Sequence, residues 1–497
     1  DTPGADTAPL HNAMRDLGRD AIWFDYAKDK VDAPYDLTLH PSDLTNQTDL
    51  KAFILSKLSA ERKAAYEAFL AQREPEKREK HPQVANYEKR PEPLTFQQPF
   101  SPKGSMERTQ VPADCELKLF AAEPDIAKPI AFAWDERGRC WVVETRDYPH
   151  GITENHEGQD SVKICEDTNG DGKADKFTVF ADKLNLPTGI VFARKGIIVA
   201  APPQFIYLED TNGDDKADKR EVIIDCWGIR DTHAQASSLH YGFDNWIYGC
   251  VGYSGIEGYV GGKQHQFAMG TYRFKADGSA IEFLHQFTNN AWGHSTNDAG
   301  DQFGGTANGA PIFFGGIPAT AYAEGRGFTA KKINEVDTCH TITPNFRQVD
   351  VFGGYTAAAG SNFIYSDALP KRFQGMAMVC EPTMKVVSLM DVQPDGAGYK
   401  ALDAFNIYAS SDEWNSPVHA EVGPDGAVWV ADFENFIIQH NPTPSKERGG
   451  FVATTGVGGA HENELRDHSR GRIYRIVGRG LQSRGYETQW SKLETQR

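Results

Sequence analysis

Two short segments of the chain repeat one pattern of oxygen-bearing side chains. They are Asp167-Thr-Asn-Gly-Asp-Gly-Lys-Ala-Asp175 and Asp210-Thr-Asn-Gly-Asp-Asp-Lys-Ala-Asp218. Side-chain oxygens at positions 1, 3, 5 and 9, with a main-chain carbonyl at position 7, are spaced to surround a hard cation such as calcium. The predicted ligands are Asp167, Asn169, Asp171, Lys173 and Asp175 in the first loop, and Asp210, Asn212, Asp214, Lys216, Asp218 and Glu221 in the second.

Each Asp-rich loop departs once from the best calcium pattern. In the first loop, Thr178 stands where a bidentate acid would complete the set of ligands. In the second loop, Asp215 replaces the turn glycine. Apolar runs flank both loops, so they are expected on β-hairpins and not in EF-hands. The alternative is a solvated turn in which the side chains bond to their own backbone. In either case a structural role is expected, away from any catalytic centre.

A second set of polar segments could act on a small molecule. Histidine can take a proton near neutral pH, and Arg, Asn, Asp and Trp can orient a ligand or stabilise developing charge. Such residues gathered in one funnel would form a small-molecule site, whereas the alternative is a set of loops that only bond to one another. The segments are Thr145–Tyr148, Asp231–Gln235, Asn289–His294 and Ser411–His419.

Six copies of one unit position these segments. Each copy consists of an apolar strand, a turn that contains Asp or Gly, and a second apolar strand. Regular repetition of such a unit predicts an all-β, six-bladed β-propeller, in which equivalent loops meet at one mouth. A β-sandwich pair is the structural alternative. The copies are Ala131–Glu144, Gly189–Ala201, Leu239–Val251, His294–Thr306, Ile364–Cys380 and Ala420–Asp432.

Residues 1–110 have a different composition and are predicted to form a mostly helical N-terminal extension followed by a linker. Leu50–Arg78 is rich in helix-forming residues and carries an apolar stripe, and His11–Lys28 is a weaker helical candidate. The propeller is expected over residues 111–480, with a C-terminal tail at 481–497. The extension is either a loosely packed arm or a docking segment for a partner or a second copy.

Charge and cysteine content narrow the function classes. A net charge of −17 argues against nucleic acid as a partner and suits a cation or a basic protein. The seven cysteines include no C-x-x-C pair, which disfavours a zinc ribbon. Free buried thiols are favoured, while one or two disulfides stay open. Val336-Asp-Thr-Cys-His340 lacks the first cysteine of a haem-attachment motif, so no covalent haem is expected in this chain.

The chain resembles a known family from Cys115 to about Val477. It is similar to the exported "membrane-bound dehydrogenase" domain of Planctomycetes and Verrucomicrobia, itself related to soluble PQQ-dependent sugar and sorbosone dehydrogenases. The resemblance lies in the set of motifs and not in any one of them. The matching stretches are Trp141–Pro149, Glu166–Lys176, Leu186–Gly189, Asp231–His233, Asn290–His294, Val422–Gly426 and Gly471–Arg475.

The resemblance implies an exported or periplasmic oxidoreductase that oxidises a sugar or alcohol and passes electrons to a c-type cytochrome. It implies calcium and PQQ as cofactors. His233 would be the catalytic base, with Arg146 and His294 orienting substrate. Two positions depart from the family, because Asn289 and Ser416 stand where arginines would hold the quinone's carboxylates. The remaining cofactor-binding candidates are Asp231, Asn290, Trp292 and His419.

Two other functions stay open at this point. One is a non-catalytic, calcium-stabilised propeller that scaffolds a multi-subunit redox complex. The N-terminal helices would be the docking segment of such a scaffold. The other is a lactonase-like propeller hydrolase with a metal at the axis, which Asn290 and the carboxylates of the mouth would support.

Overall fold

The chain winds into a ring of antiparallel β-sheets preceded by a segment that packs on the ring. The computed structural model describes residues 60–80, 95–112, 114–322, 329–343, 353–438, 459 and 465–481. In this part of the chain no helix is long and apolar enough to cross a membrane. The first elements are helix α1 (Ala60–Gln72), strands β1 (Arg78–Glu79) and β2 (Phe96–Gln97), helix α2 (Pro102–Met106), and strands β3 (Thr109–Gln110) and β4 (Cys115–Ala122).

Blades 1 to 3 each contain four strands in chain order from the axis outwards. Blade 3 also carries a separate hairpin, β15–β16, between its second and third strands. Blade 1 is β5 (Pro129–Trp134), β6 (Cys140–Glu144), β7 (Asp160–Glu166) and β8 (Lys176–Leu184). Blade 2 is β9 (Gly189–Ala193), β10 (Gly196–Ala201), β11 (Gln204–Glu209) and β12 (Lys219–Ile224). Blade 3 is β13 (Ala236–Tyr241), β14 (Ile247–Val251), the hairpin β15 (Ile256–Val260) and β16 (Lys263–Phe267), then β17 (Gly270–Phe274) and β18 (Ile281–Gln286).

Blades 4 to 6 complete the ring, and blades 5 and 6 borrow strands from the start of the chain. Blade 4 is β19 (Ala291–Thr296), β20 (Gln302–Thr306) and β21 (Ala310–Phe314). Blade 5 is β22 (Ala359–Phe363), β23 (Met376–Glu381), β24 (Val386–Asp395) and β25 (Gly398–Ser410), with β3 at its edge. Blade 6 is β26 (Pro417–Val422), β27 (Val428–Asp432) and β28 (Arg472–Gly478), with β4 at its edge. Short 3₁₀ turns lie at Ala319–Ala321 and Lys371–Phe373.

The repeated unit therefore corresponds to the first two strands of a blade, except that the copy Ile364–Cys380 begins just after the first strand of blade 5. The prediction of a six-bladed all-β propeller is confirmed. The turn inside the unit explains why the pattern recurs. In blade 1, the Asp135 carboxylate accepts the main-chain N–H groups of Arg137 and Arg139, and Gly138 adopts a φ of 77°. In blade 6, Gly426 has a φ of 78° at the equivalent turn.

The hydrophobic core lies between adjacent blades. Between blades 6 and 1, Trp429 contacts Phe120 and Trp134 edge to face, with ring centroids 4.6 and 5.4 Å apart. Aromatic pairs of this geometry stabilise the packing beyond the area that they bury. All seven cysteines are unpaired thiols, and five of them are buried.

The expectation of a mostly helical N-terminal extension is not supported. Of the predicted helix Leu50–Arg78, the structure describes α1, which ends at Gln72. Pro75 follows closely, and a proline disfavours helical geometry in the residue before it. Residues 73–80 are then extended and include β1. The weaker candidate His11–Lys28 and residues 50–59 lie outside the described residues.

Residues 95–112, part of the predicted linker, pack tightly on blades 5 and 6. Phe96, Gln97, Phe100 and Arg108 are all buried. Gln97 forms hydrogen bonds with Glu413 in both directions, accepting its N–H at 2.8 Å and donating its own N–H to the carboxylate at 2.9 Å. This segment belongs to the folded body.

Candidate functional site

A cavity of about 290 Å³ opens on the axis at the mouth of the propeller. The innermost strands of several blades line it near their first residues, together with the loops that lead into them. All four polar segments singled out in the sequence contribute, and their convergence is as predicted. Their lining members are Thr145 and Tyr148, then Asp231, Thr232, His233 and Gln235, then Asn290 and Trp292, and finally His419.

His233 stands on the loop between blades 2 and 3 and is held there by its backbone. Its N–H donates to the Asp231 carboxylate at 2.8 Å. Its carbonyl oxygen accepts hydrogen bonds from the Asn290 side-chain amide, at 2.7 Å, and from the Trp292 indole N–H. Two of the predicted cofactor-binding residues thus fix the main chain that carries the predicted base.

The His233 imidazole connects an acid to a phenol. Its Nδ1 lies 3.5 Å from the Asp231 carboxylate, and its Nε2 contacts the Tyr148 hydroxyl. A carboxylate beside Nδ1 favours the tautomer with the proton on that nitrogen. Nε2 is then an acceptor that faces the cavity wall, as a general base requires.

The Tyr148 hydroxyl has three partners. Its single proton is donated to the Ile438 carbonyl at 2.8 Å, while its oxygen accepts from the Arg466 guanidinium at 3.4 Å and contacts His233 Nε2. Burial raises the pKa of Tyr148 above its usual value, and Arg466 only partly offsets this. Tyr148 is therefore a neutral phenol that can pass on a proton.

The Tyr148 loop is anchored by a buried carboxylate. Asp160 accepts the N–H of Asp147 at 2.8 Å and that of Leu186 at 2.6 Å. Burial, followed by the charge of Asp147, raises the pKa of Asp160 to about 8. Asp160 thereby connects the segment that carries Tyr148 to the entrance of blade 2.

Two more predicted cofactor-binding residues lie at or beside the cavity. The His419 ring meets Phe132 edge to face at 4.7 Å, and its Nε2 is 3.4 Å from the Glu421 carboxylate. Asn289 is not among the lining residues; its side-chain oxygen accepts from the Tyr253 hydroxyl and from the N–H of Asn290.

Two of the three predicted catalytic residues lie away from the cavity. The Arg146 guanidinium lies 3.7 Å from the buried Glu144 carboxylate. His294 follows Trp292 by two residues on β19, about 7 Å deeper along the strand. There it stacks on His240 with ring centroids 4.4 Å apart, and burial lowers its pKa well below the usual value. Neither Arg146 nor His294 is among the residues that line the cavity, and their expected roles in orienting substrate stay predictions.

Sequence comparison identifies the family. Residues 101–480 match the family described as "Domain of unknown function (DUF7133)". The chain belongs to this family. No curated protein matches it.

Solved structures similar to this DUF7133 chain are propellers at low identity. The PQQ domain of Coprinopsis cinerea pyranose dehydrogenase is 12% identical, with a TM-score of 0.47, over 74% of this chain and 97% of that one. The calcium structure of a Trichoderma reesei carbohydrate-active enzyme of family AA12 is 10% identical, with a TM-score of 0.42, over 75% and 97%. The Escherichia coli soluble aldose sugar dehydrogenase is 12% identical, with a TM-score of 0.39, over 73% and 100%.

These neighbours include the PQQ domain of a pyranose dehydrogenase and an aldose sugar dehydrogenase, but likenesses of this size say nothing about ligand or reaction. None of the matches supports the expected relation to the Planctomycetes and Verrucomicrobia domain.

The two Asp-rich loops of the DUF7133 chain use their oxygens on their own backbone. Asp167 accepts the N–H groups of residues 170, 171 and 172 at 2.7–3.1 Å. Asp210 accepts those of residues 212, 213 and 215 at 2.6–3.1 Å. No group of three or more His, Cys, Asp or Glu is placed to hold a metal ion anywhere in the described ranges. The hydrogen bonds of both loops are those of the solvated-turn alternative.

The cavity does not fit PQQ. A tricarboxylated quinone needs cationic partners, and no Lys or Arg is among the described residues that line the cavity. Asn289 points to Tyr253, and Ser416 is fully buried with its hydroxyl donating to the Asn435 carbonyl at 2.8 Å. Neither position supplies the positive charge that the resemblance required.

Sequence reasoning missed the partners of His233. Tyr148 was visible as a member of a polar segment, but its contact with a loop 85 residues away was not. Gln235 was visible only as the last residue of the segment Asp231–Gln235, and Arg466 carried no signal, because only the closed ring shows that it lies beside Tyr148.

Proposed function

We propose that this protein is an oxidoreductase that oxidises a hydroxyl group of a small, neutral sugar or alcohol in the axial cavity. The observation that carries the proposal is the chain Asp231–His233–Tyr148 at the cavity wall. It couples a base to a neutral phenol, and this is what removal of a hydroxyl proton needs.

The proton leaves the substrate through Tyr148. In this step the Tyr148 hydroxyl turns its proton from the Ile438 carbonyl to His233 Nε2, and the substrate hydroxyl gives its own proton to the Tyr148 oxygen. Asp231 stabilises the imidazolium that forms, and Arg466 stabilises negative charge that develops on the phenol oxygen. The carbon bearing the hydroxyl gives up a hydride, so that a carbonyl group forms.

The hydride acceptor in this proposal is a quinone that does not need Lys or Arg side chains to bind it. It enters the cavity as a second substrate. The reduced quinone then passes two electrons to a partner, for which we propose a c-type cytochrome in an exported compartment. The net charge of −17 suits a basic partner.

Five of the seven thiols are buried, and burial raises the pKa of Cys115 to about 12, which makes that thiol unreactive.

Turnover with an artificial quinone-type acceptor tests the proposal on a panel of sugars and alcohols. We expect His233→Ala to reduce kcat by about two to four orders of magnitude, since a general base contributes that much. Tyr148→Phe should reduce kcat with little change in KM, because the phenol acts in proton transfer. His265→Ala, in the β16 hairpin, is the matched control and should retain activity.

Two results would count against the oxidoreductase. Full activity of His233→Ala would show that the base is elsewhere. Failure of every substrate and acceptor pair with the wild-type protein would favour the non-catalytic scaffold. The hydrolase alternative is less favoured, because within the described residues no group of three or more His, Cys, Asp or Glu side chains is placed to hold a metal ion.

A further inference from the structure

Gln235 is a fully buried side chain at the cavity wall. It lies two residues after His233, immediately before β13, and has 0% of its surface exposed. Neither its Nε2 nor its Oε1 has a hydrogen-bond partner. Burying an amide without partners destabilises a protein, and buried polar groups are nearly always paired. An unsatisfied amide that lines a cavity therefore points to a ligand.

Asn290 lines the same cavity and carries a second unsatisfied side-chain oxygen. Its Nδ2 donates to the His233 carbonyl at 2.7 Å, and this bond fixes which way the amide points. Its Oδ1 has no partner, and the residue is 8% exposed. The two amides together offer two acceptor oxygens and the unpaired N–H₂ group of Gln235, which matches hydroxyl groups that both donate and accept.

The charges around this pair select against anions. Asp231 and Glu421 line the cavity, and no Lys or Arg does so within the part of the chain that the structure describes. A carboxylated ligand would be repelled by two negative side chains with no cation to offset them, whereas a neutral polyol meets no such repulsion. A volume of about 290 Å³ corresponds to roughly ten water molecules.

We propose that Gln235 and Asn290 form a recognition subsite for an uncharged polyhydroxylated ligand, and that the charges of Asp231 and Glu421 select this ligand over the matching acid. The subsite deepens the proposed function, because it lies in the same cavity and would bind that reaction's substrate. Ligand hydroxyls would donate to Gln235 Oε1 and Asn290 Oδ1, and one hydroxyl oxygen would accept from Gln235 Nε2. Gln235 touches the substrate in this assignment but takes no part in proton transfer.

Titration calorimetry without any electron acceptor tests the subsite separately from the reaction. The probes are a neutral panel of glucose, glucitol and glycerol, with gluconate as the acid matched to glucose. We expect at least one neutral probe to bind and gluconate to bind at least tenfold more weakly. Gln235→Leu should weaken binding of the neutral probe about tenfold or more, as loss of buried hydrogen bonds does. Gln264→Leu, exposed on β16, is the matched control.

The stability of the free protein gives a second readout. Gln235→Leu replaces an unpaired amide by an apolar group of similar size, so Tm should stay constant or rise by about 1–3 °C. A clear fall in Tm would show that Gln235 has a structural partner and would overturn the assignment. Unchanged binding in Gln235→Leu, equal binding of gluconate, or no binding by any neutral probe would each overturn it as well.

The binding results are independent of the oxidoreductase proposal. Selective binding that depends on Gln235, without turnover, would keep the subsite and reject the reaction. Turnover of a neutral substrate that is insensitive to Gln235→Leu would keep the reaction and reject the subsite.

Discussion

Glu381 shows how one buried carboxylate holds the cavity wall. It is fully buried at the end of β23 and accepts the N–H groups of Thr356 and Ala357 at 2.9 and 2.8 Å. Both of these residues line the cavity. A single acid thus positions main chain that any ligand on the axis would touch.

Ionisation of Glu381 should make the protein's stability depend on pH. Burial raises its pKa from the ordinary 4.5 to about 7, although hydrogen bonds from Thr383 and the backbone oppose the increase. The folded state then keeps a proton between pH 4.5 and 7 that the unfolded state has lost. This contribution is complete below pH 4.5 and disappears as the pH rises through 7, with a size of a few kcal/mol at most.

Chemical denaturation between pH 5 and 8 measures this effect. Glu381→Gln cannot ionise, so its free energy of unfolding should fall less steeply over that range than that of the wild-type protein. The variant should be less stable at low pH, because its amide N–H₂ faces N–H donors. Parallel stability curves would show that Glu381 titrates normally in the folded state.

At the scale of elements, the Asp-rich loops connect neighbouring blades. The N–H of Ala174 donates to the Phe120 carbonyl of blade 6, and the N–H of Ala217 donates to the Phe180 carbonyl of blade 1, both at 2.8 Å. An arginine from the neighbouring blade also reaches each loop. Arg475 donates to the Gly172 carbonyl at 3.2 Å, and Arg139 donates to both carboxylate oxygens of Asp215 at 2.9 Å. The repeated pattern thus serves the same structural purpose twice.

Removing the Arg139 contact should loosen blades 1 and 2. Arg139 also donates to Asp135 at 2.7 Å, so Arg139→Ala leaves two acids without their cation. We expect a loss of about 2 kcal/mol in the free energy of unfolding, typical of charge-assisted hydrogen bonds. Arg137→Ala, two residues earlier and exposed, is the control and should change stability by less than about 0.5 kcal/mol. Denaturant titration compares them, and equal stabilities would show that the contact is not a stabilising one.

The sequence predicts elements far better than contacts between them. The blades could be predicted because alternating apolar strands and Asp-Gly turns are local features. His233 could be placed at the mouth because equivalent loops of a propeller meet there. The pairing of Asp215 with Arg139 could not be predicted, since it joins loops of different blades. For the same reason Asp215 looked like a defect in a calcium loop, although it is the residue that binds the neighbouring blade.

At the scale of the whole molecule, residues from the start of the chain close the ring. β4 pairs with β28 from Cys115–Gly478 to Ala122–Arg472, and β3 pairs with β25. Arg472 is fully buried, 3.0 Å from the Glu434 carboxylate and 2.9 Å from that of Glu123, and donates to the Phe100 carbonyl at 2.7 Å. Breaking such a buried network by removing a partner is strongly destabilising.

Two truncations separate the closing segment from what precedes it. Removing residues 1–80 deletes α1 and the Arg78–Glu413 ion pair, which is 2.7 Å long, but leaves 95–112 and β4 in place. We expect this form to remain folded with a lower Tm, and light scattering will show whether α1 holds copies of the chain together. Removing residues 1–112 also deletes β2, β3 and the Phe100 carbonyl, and uncovers Trp414 and Phe436, which pack against Phe96.

We expect the longer truncation to lose cooperative thermal unfolding, because Arg472 then loses the Phe100 carbonyl, Glu413 loses Gln97, and the aromatic cluster is uncovered. Circular dichroism and calorimetry on both forms measure this difference. If the longer truncation melts as cooperatively as the shorter one, residues 95–112 are an accessory layer. The ring would then be closed by the β4–β28 pairing alone.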